Sequence, residues 1–126
     1  KKRMEIKKYF FDSYAFFEII KGNKNYSDYT QVSIITTKLN LMELYSWLLR
    51  RNGKELAERY YQKFLPFCYE ITDDTIKSAC EFRLAHKEKE FSYVDCIGYI
   101  IAKNMGIKFL TGDNDFKNIN GVEFVK

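Results

Sequence analysis

Large apolar residues along the chain fall into two kinds of run. Some are short continuous clusters; others are longer stretches in which apolar positions return every three or four residues. The first kind predicts buried strand, the second a helix with one packed face. Tyr9-Phe10-Phe11, following Ile6 and Lys7-Lys8, predicts a strand that stops at Asp12-Ser13, either of which can cap a helix over Tyr14 to Lys21. Gly22-Asn23-Lys24-Asn25 breaks that helix. Val32-Ser33-Ile34-Ile35 is β-branched and short, a second strand, and Thr36-Thr37 then caps a long helix from about Lys38 to Arg51, stopped by Asn52-Gly53. A helix over Lys54 to Phe64 ends at Pro66, and Phe67-Cys68-Tyr69-Glu70-Ile71 predicts a third strand. Thr72-Asp73-Asp74 opens the next helix, running toward His86, and Ser92-Tyr93-Val94-Asp95 opens another that Gly106 closes. Ile107 to Leu110 gives a fourth strand, Gly112-Asp113-Asn114-Asp115 a turn, and Val122 to Val125 a fifth strand.

Strands separated by helices indicate an α/β fold, with a mostly parallel sheet of four to five strands and helices on both faces. The length of 126 residues suits a single domain over 1–126. With 11 Phe, 10 Tyr and one Trp against one Pro and six Gly, a disordered or fibrous chain is excluded and a sizeable core is affordable.

The three cysteines, Cys68, Cys80 and Cys96, are odd in number and far apart, which argues against a disulfide framework and for buried free thiols in a reducing compartment. Adding His86 makes no zinc site, since no two of these ligands lie two to four residues apart. Lys1, Lys2 and Arg3 ahead of an apolar stretch imitate a signal peptide, but Asp12 and Glu18 interrupt it and a small-residue cleavage site is missing. Met4 is a candidate native start. No run approaches the ~20 apolar residues of a membrane span. The expectation is a cytoplasmic protein.

Acids gather where this topology would bring them together. Asp12 follows the first strand, Asp113 and Asp115 lie in the turn after the fourth, and Asp95 sits in the first turn of the helix leading into the fourth. Open α/β sheets bind ligands beyond the carboxyl ends of their strands. Glu43, about two turns into the helix after strand two, is flanked by Leu39, Met42, Leu44 and Leu48, so it leans toward the same edge rather than into bulk water. Each acid also has a local role open to it. Asp12 can cap its helix; Asp95 stands three residues after Ser92, as in a capping box; Asp113 and Asp115 suit a tight turn; and Glu43 shares a polar stripe with Asn40, Trp47 and Arg50. Taken jointly, carboxylates in one pocket repel unless a cation sits among them. An all-oxygen donor set suits Mg²⁺ or Mn²⁺, ions that activate water and neutralise charge on a transferring phosphate. Lys and Arg outnumber Asp and Glu by 21 to 17, so a surface relieved of those acids is distinctly basic. Arg50 and Arg51, ending the helix that carries Glu43, are placed to hold phosphates of RNA, although a solvated basic surface explains them equally.

These blocks resemble the PIN-domain family, in particular the VapC-like toxin ribonucleases of bacteria and archaea. Phe10-Phe11-Asp12-Ser13 resembles the family's opening strand, which ends in Asp followed by Ser or Thr. Leu41-Met42-Glu43-Leu44 resembles the helix with the second acid. Ser92-Tyr93-Val94-Asp95, followed by Ala102, Gly106, Ile107 and Leu110, resembles the segment with the third. Thr111-Gly112-Asp113-Asn114-Asp115-Phe116 resembles the T-x-D-x-D-F signature, with Gly121-Val122 opening the closing strand. The resemblance spans residues 6 to 125. It implies a three-layer α/β/α sandwich of strand order 3-2-1-4-5 and a metal-dependent endoribonuclease. In that picture Asp12, Asp95 and Asp113 hold Mg²⁺ or Mn²⁺, with Asp115 in a lesser part; Glu43 completes the catalytic set, and Ser13 and Thr111 support it. It also implies a homodimer and, for the toxins, a small antitoxin protein as partner.

Two other classes gather acids at strand ends. A phospho-receiver needs adjacent acids after strand one, and a haloacid-dehalogenase phosphatase needs Asp-x-Asp there; Asp12-Ser13-Tyr14 meets neither. A stand-alone PIN nuclease for RNA processing or decay, and a PIN-like fold serving as a non-catalytic binding module, stay open as alternatives.

Overall fold

The computed structural model describes residues 6–126; the basic start Lys1–Arg3 and the candidate start Met4 lie outside the described residues. Four parallel strands form one sheet: β1 (Lys8–Phe11), β2 (Ser33–Ile35), β3 (Lys108–Thr111) and β4 (Val122–Phe124), in the order β2-β1-β3-β4. Five helices connect them: α1 (Ser13–Lys21), α2 (Lys38–Arg51), α3 (Lys54–Phe64), α4 (Asp73–Ala85) and α5 (Tyr93–Met105).

The alternation of side chains along β1 divides the core. Tyr9 and Phe11 point to one face, where they pack with Ala15 and Phe16 of α1, Leu41, Leu44 and Leu48 of α2, and Ala57 and Phe64 of α3. Phe10 points to the other, joining Phe109, Phe116, Ala79 of α4 and the run Cys96 to Ala102 of α5. The result is the expected three-layer α/β/α sandwich. Phe10, Phe11, Phe16, Phe109 and Phe116 are fully buried, each contributing about 1.5–3 kcal/mol of burial free energy.

Helix α5 lies unusually close to the sheet. At Gly98 an added Cβ would fall 2.6 Å from the Phe10 ring and 3.0 Å from that of Phe109, so only a hydrogen fits there.

Two expectations are corrected. Phe67 to Ile71 does not form a strand: Leu65–Phe67 is a 3-10 turn, and the segment's only β contact is a single parallel bridge between Cys68 and Thr36. Thr36 N donates to Phe67 O at 3.1 Å and Tyr69 N to Thr36 O at 2.8 Å; Tyr69 and Glu70 are then exposed. The position beside β2 is held, but by one rung rather than a strand. Helix α1 does stop at Gly22, and Lys24–Tyr29 then coils into a 3-10 turn that buries Tyr26. Finally, of the three free thiols only Cys96 is buried; Cys80 is exposed and Cys68 intermediate.

Candidate functional site

The site lies at the carboxyl ends of β1 and β3, the two central strands. Asp12 leaves β1 with its N–H donating to Leu110 O at 3.1 Å, which ties it to the neighbouring strand. It is the N-cap of α1, accepting from Ser13 N at 2.8 Å on Oδ1. Its other oxygen, Oδ2, accepts from the Thr111 hydroxyl at 2.6 Å. Only 3% of Asp12 is exposed. Thr111, the last residue of β3, also receives a hydrogen bond from Asp113 N at 3.1 Å, so one hydroxyl couples Asp12 to the turn that carries Asp113. Asp113 Oδ1 in turn accepts from Asp115 N at 3.0 Å and caps the short 3-10 turn Asn114–Phe116.

Two more acids arrive from helices. Asp95 is the third residue of α5, where Ser92 Oγ accepts from Asp95 N at 3.0 Å and Asp95 Oδ2 accepts from Ser92 N at 2.9 Å, a reciprocal capping box. Glu43, on α2, accepts a 2.5 Å hydrogen bond from Ser13 Oγ. The same Ser13 hydroxyl accepts from Asn40 Nδ2 at 3.0 Å, and Asn40 Oδ1 accepts from Thr37 Oγ1 at 2.7 Å. Asn40 is only 1% exposed. A buried amide therefore sets the hydroxyl that holds Glu43. That role depends on Ser13, 27 residues away, and only the polar stripe from Asn40 to Arg50 hinted at it.

The four acids act on one another. Burial pushes the Asp12 carboxyl up to about 8, with the charges of Asp95 and Glu43 adding to the rise and the hydrogen bonds from Thr111 and Ser13 opposing it. Burial likewise raises Asp95, to about 6; its bonds to Ser92 oppose the rise, and Asp113 and Glu43 add to it. The local and the joint readings of these residues thus coexist. Asp12 and Asp95 are helix caps and also members of a repelling cluster.

The donor set has the chemistry of a Mg²⁺ or Mn²⁺ site: carboxylate oxygens, with no imidazole or thiolate in the cluster. Burial and mutual repulsion are what a divalent charge would relieve. Among the described residues, however, no three His, Cys, Asp or Glu side chains are already grouped so as to hold an ion. Each carboxylate is drawn toward a protein donor instead, Asp95 toward Ser92 and Asp113 toward Asp115.

Of the remaining candidates, Asp115 contributes its backbone N–H to Asp113. Arg50 donates to Ser46 Oγ at 2.7 Å and shares a surface recess with Glu43. Arg51 lies with its guanidinium 4.8 Å from the centre of the Trp47 ring. Gly112, between Thr111 and Asp113, is required by space: a Cβ there would fall 2.3 Å from Val125 O and 2.4 Å from the Tyr14 ring.

Several known proteins share this architecture. VapC20 of Mycobacterium tuberculosis, a sarcin-ricin loop cleaving toxin, superimposes with a TM-score of 0.77 at 22% identity, over 94% of this chain and 99% of that one. A toxin-antitoxin complex from Klebsiella pneumoniae gives 0.72 at 16% identity, covering 90% and 94%. DNA-bound VapBC from Salmonella typhimurium gives 0.69 at 17%, covering 94% and 97%. At these identities the likeness is one of fold. No curated protein matches the chain in sequence. The PIN domain family, by contrast, matches residues 9–122, from the middle of β1 to the start of β4, with Asp12, Glu43, Asp95 and Asp113 inside the match. The chain belongs to the PIN domain family.

Proposed function

We propose that this protein is a metal-dependent endoribonuclease that hydrolyses RNA phosphodiester bonds at the Asp12–Glu43–Asp95–Asp113 cluster. The observation that carries it is the buried, repelling carboxylate set at the ends of β1 and β3, in which Asp12 and Asp95 are both raised by burial and by neighbouring acids. Asp12, Asp95 and Asp113 would hold Mg²⁺ or Mn²⁺, with Asp115 beside them. Such an ion, when bound, makes water more acidic and offsets charge on a phosphate under attack. The chain's own groups do the rest. Thr111 and Ser13 N orient the Asp12 carboxylate. Ser13, set by Asn40, holds Glu43 Oε1, which leaves Oε2 to accept a proton from the attacking water. Arg50 and Arg51 make no ion pair among the described residues, so both guanidinium groups are open to substrate phosphates.

The fold shared with VapBC assemblies supports a further reading, the toxin half of a toxin-antitoxin pair with a small protein antitoxin as its inhibitor. A homodimer is the expected assembly. A stand-alone processing nuclease or a non-catalytic module would share the fold but differ in the assay. Incubating the purified chain with single-stranded RNA and Mn²⁺ should give internal cleavage that EDTA abolishes. Absence of cleavage in Mn²⁺ and Mg²⁺ would leave the module reading standing; co-expression with the product of a neighbouring small reading frame tests the antitoxin.

A further inference from the structure

Beside the acid cluster, α1 and α2 enclose a recess of about 460 Å³ lined by Phe17, Met42, Glu43, Ser46, Trp47 and Arg50. Its volume lies in the ~300–1,000 Å³ range of clefts that take small ligands. Glu43, Ser46, Trp47 and Arg50 share one face of α2 through spacings of three and four. Glu43 stands at the catalytic end, bonded to Ser13. Arg50 stands two helical turns away, ~10 Å along the axis, and is steadied by Ser46 rather than by an acid. Between these opposite charges the wall is apolar except for the Ser46 hydroxyl, which Arg50 engages. Met42 is 55% exposed, and Trp47 is braced by Phe17, stacked at 4.7 Å, and by Arg51 on its ring. An exposed thioether beside a fixed aromatic wall is an adaptable apolar surface, and the Arg50 cation next to it, which makes no ion pair among the described residues, calls for an anion.

Resting on the ribonuclease reading, we infer that this recess is a nucleotide subsite: an unpaired base seats against Met42 and Trp47 while its phosphate lies on Arg50, next to the phosphate at the acids. A base already paired and stacked in a duplex cannot enter a slot in the protein surface, whereas a splayed, single-stranded one can.

Trp47 is the only tryptophan of the chain, so its emission reports on this recess alone. The wild-type protein is titrated in EDTA, where hydrolysis stops, with a short labelled single-stranded RNA and with the same sequence as a duplex. Emission and the anisotropy of the label are followed together. Saturable change in emission with the single strand and little with the duplex is expected. Arg50→Gln should weaken binding about tenfold, Arg50→Lys should recover part of it, and Lys77→Gln, on the exposed side of α4, should leave it unchanged. Anisotropy that saturates without any change in emission overturns the subsite and leaves the nuclease standing, as does an equal response to the duplex. Emission that responds to a co-purified protein but not to RNA overturns it in favour of a protein-docking recess. Loss of both binding and Mn²⁺-dependent cleavage removes the ribonuclease reading and the subsite together.

Discussion

Helices α4 and α5 begin alike and end up in different chemical worlds. Each has a hydroxyl N-cap, Thr72 accepting from Thr75 N and Ser92 accepting from Asp95 N, and each carries acid in its first turn, Asp73 and Asp74 in one, Asp95 in the other. The partial positive charge of a helix start favours carboxylate in both. Yet Asp73 and Asp74 stay exposed, while Asp95 is partly buried within the field of Asp113 and Glu43 and its carboxyl is raised in spite of two stabilising bonds to Ser92. Local capping is the same; the neighbours supplied by β3 and α2 decide. A first-turn acid becomes chemically special only when the fold adds burial and other charges to it.

The largest expected effect separates the two starts directly. Asn caps a helix about as well as Asp, so Asp95→Asn should fold normally and lose ribonuclease turnover by about a hundredfold or more. Asp73→Asn should fold and turn over like wild type, both read by RNA cleavage in Mn²⁺ alongside circular dichroism. Full activity in Asp95→Asn would collapse the distinction.

Next comes pH. Asp12 and Asp95 have folded values above the ~4 of an unfolded Asp, so between these values the native state binds more protons than the unfolded one. Stability of the metal-free protein should therefore fall as pH rises from about 4 to about 8, most steeply below about 6 where both groups contribute, and level off above, as read in urea melts run in EDTA. Asp12→Asn should flatten the upper part of that slope, and Asp73→Asn should leave it untouched.

Metal should act in the opposite sense. Mn²⁺ at about ten times its dissociation constant should stabilise the wild type by roughly 1–2 kcal/mol, a shift of several degrees in thermal melts. The shift should shrink in Asp12→Asn, Asp95→Asn and Asp113→Asn and persist in Asp73→Asn. An equal shift in all four would place the ion elsewhere.

The smallest effect sharpens the comparison from the capping side. Thr72→Ala and Ser92→Ala should each cost about 1 kcal/mol in denaturant melts. Only Ser92→Ala, which frees Asp95 from half of its box, should also change Mn²⁺ affinity.

What was legible in the sequence follows the same division between local and imported causes. Helices α2 and α3 run from Lys38 to Arg51 and from Lys54 to Phe64, as their punctuation by Thr37 and Asn52-Gly53 requires. The continuous apolar run Tyr9-Phe10-Phe11 foretold a buried strand, and the structure covers both of its faces. Phe67 to Ile71 misled, because its composition suits a strand while strand formation needs a partner for more than one residue. Asp12, Asp95 and Asp113 were visible as acids at element ends, and their repulsion followed from the topology; how burial and the bonds from Thr111, Ser13 and Ser92 divide that perturbation between them was not. Asn40 was visible only as part of a polar stripe, since its role comes from Thr37 and Ser13 closing around it in space.

Gly98 shows how such a cluster is kept under tension. It lies three residues beyond Asp95, about one turn along α5, with the Phe10 and Phe109 rings filling the space where a side chain would begin. The standoff between helix and sheet, and with it the separation of Asp95 from the acids anchored on β1 and β3, is thus gauged by a missing methyl group. A single carbon at that position would force either the Phe10 ring or the helix to shift, and a shifted helix would move Asp95 relative to those acids. The seat of the helix that carries Asp95 is in this way set by aromatic packing at the centre of the molecule.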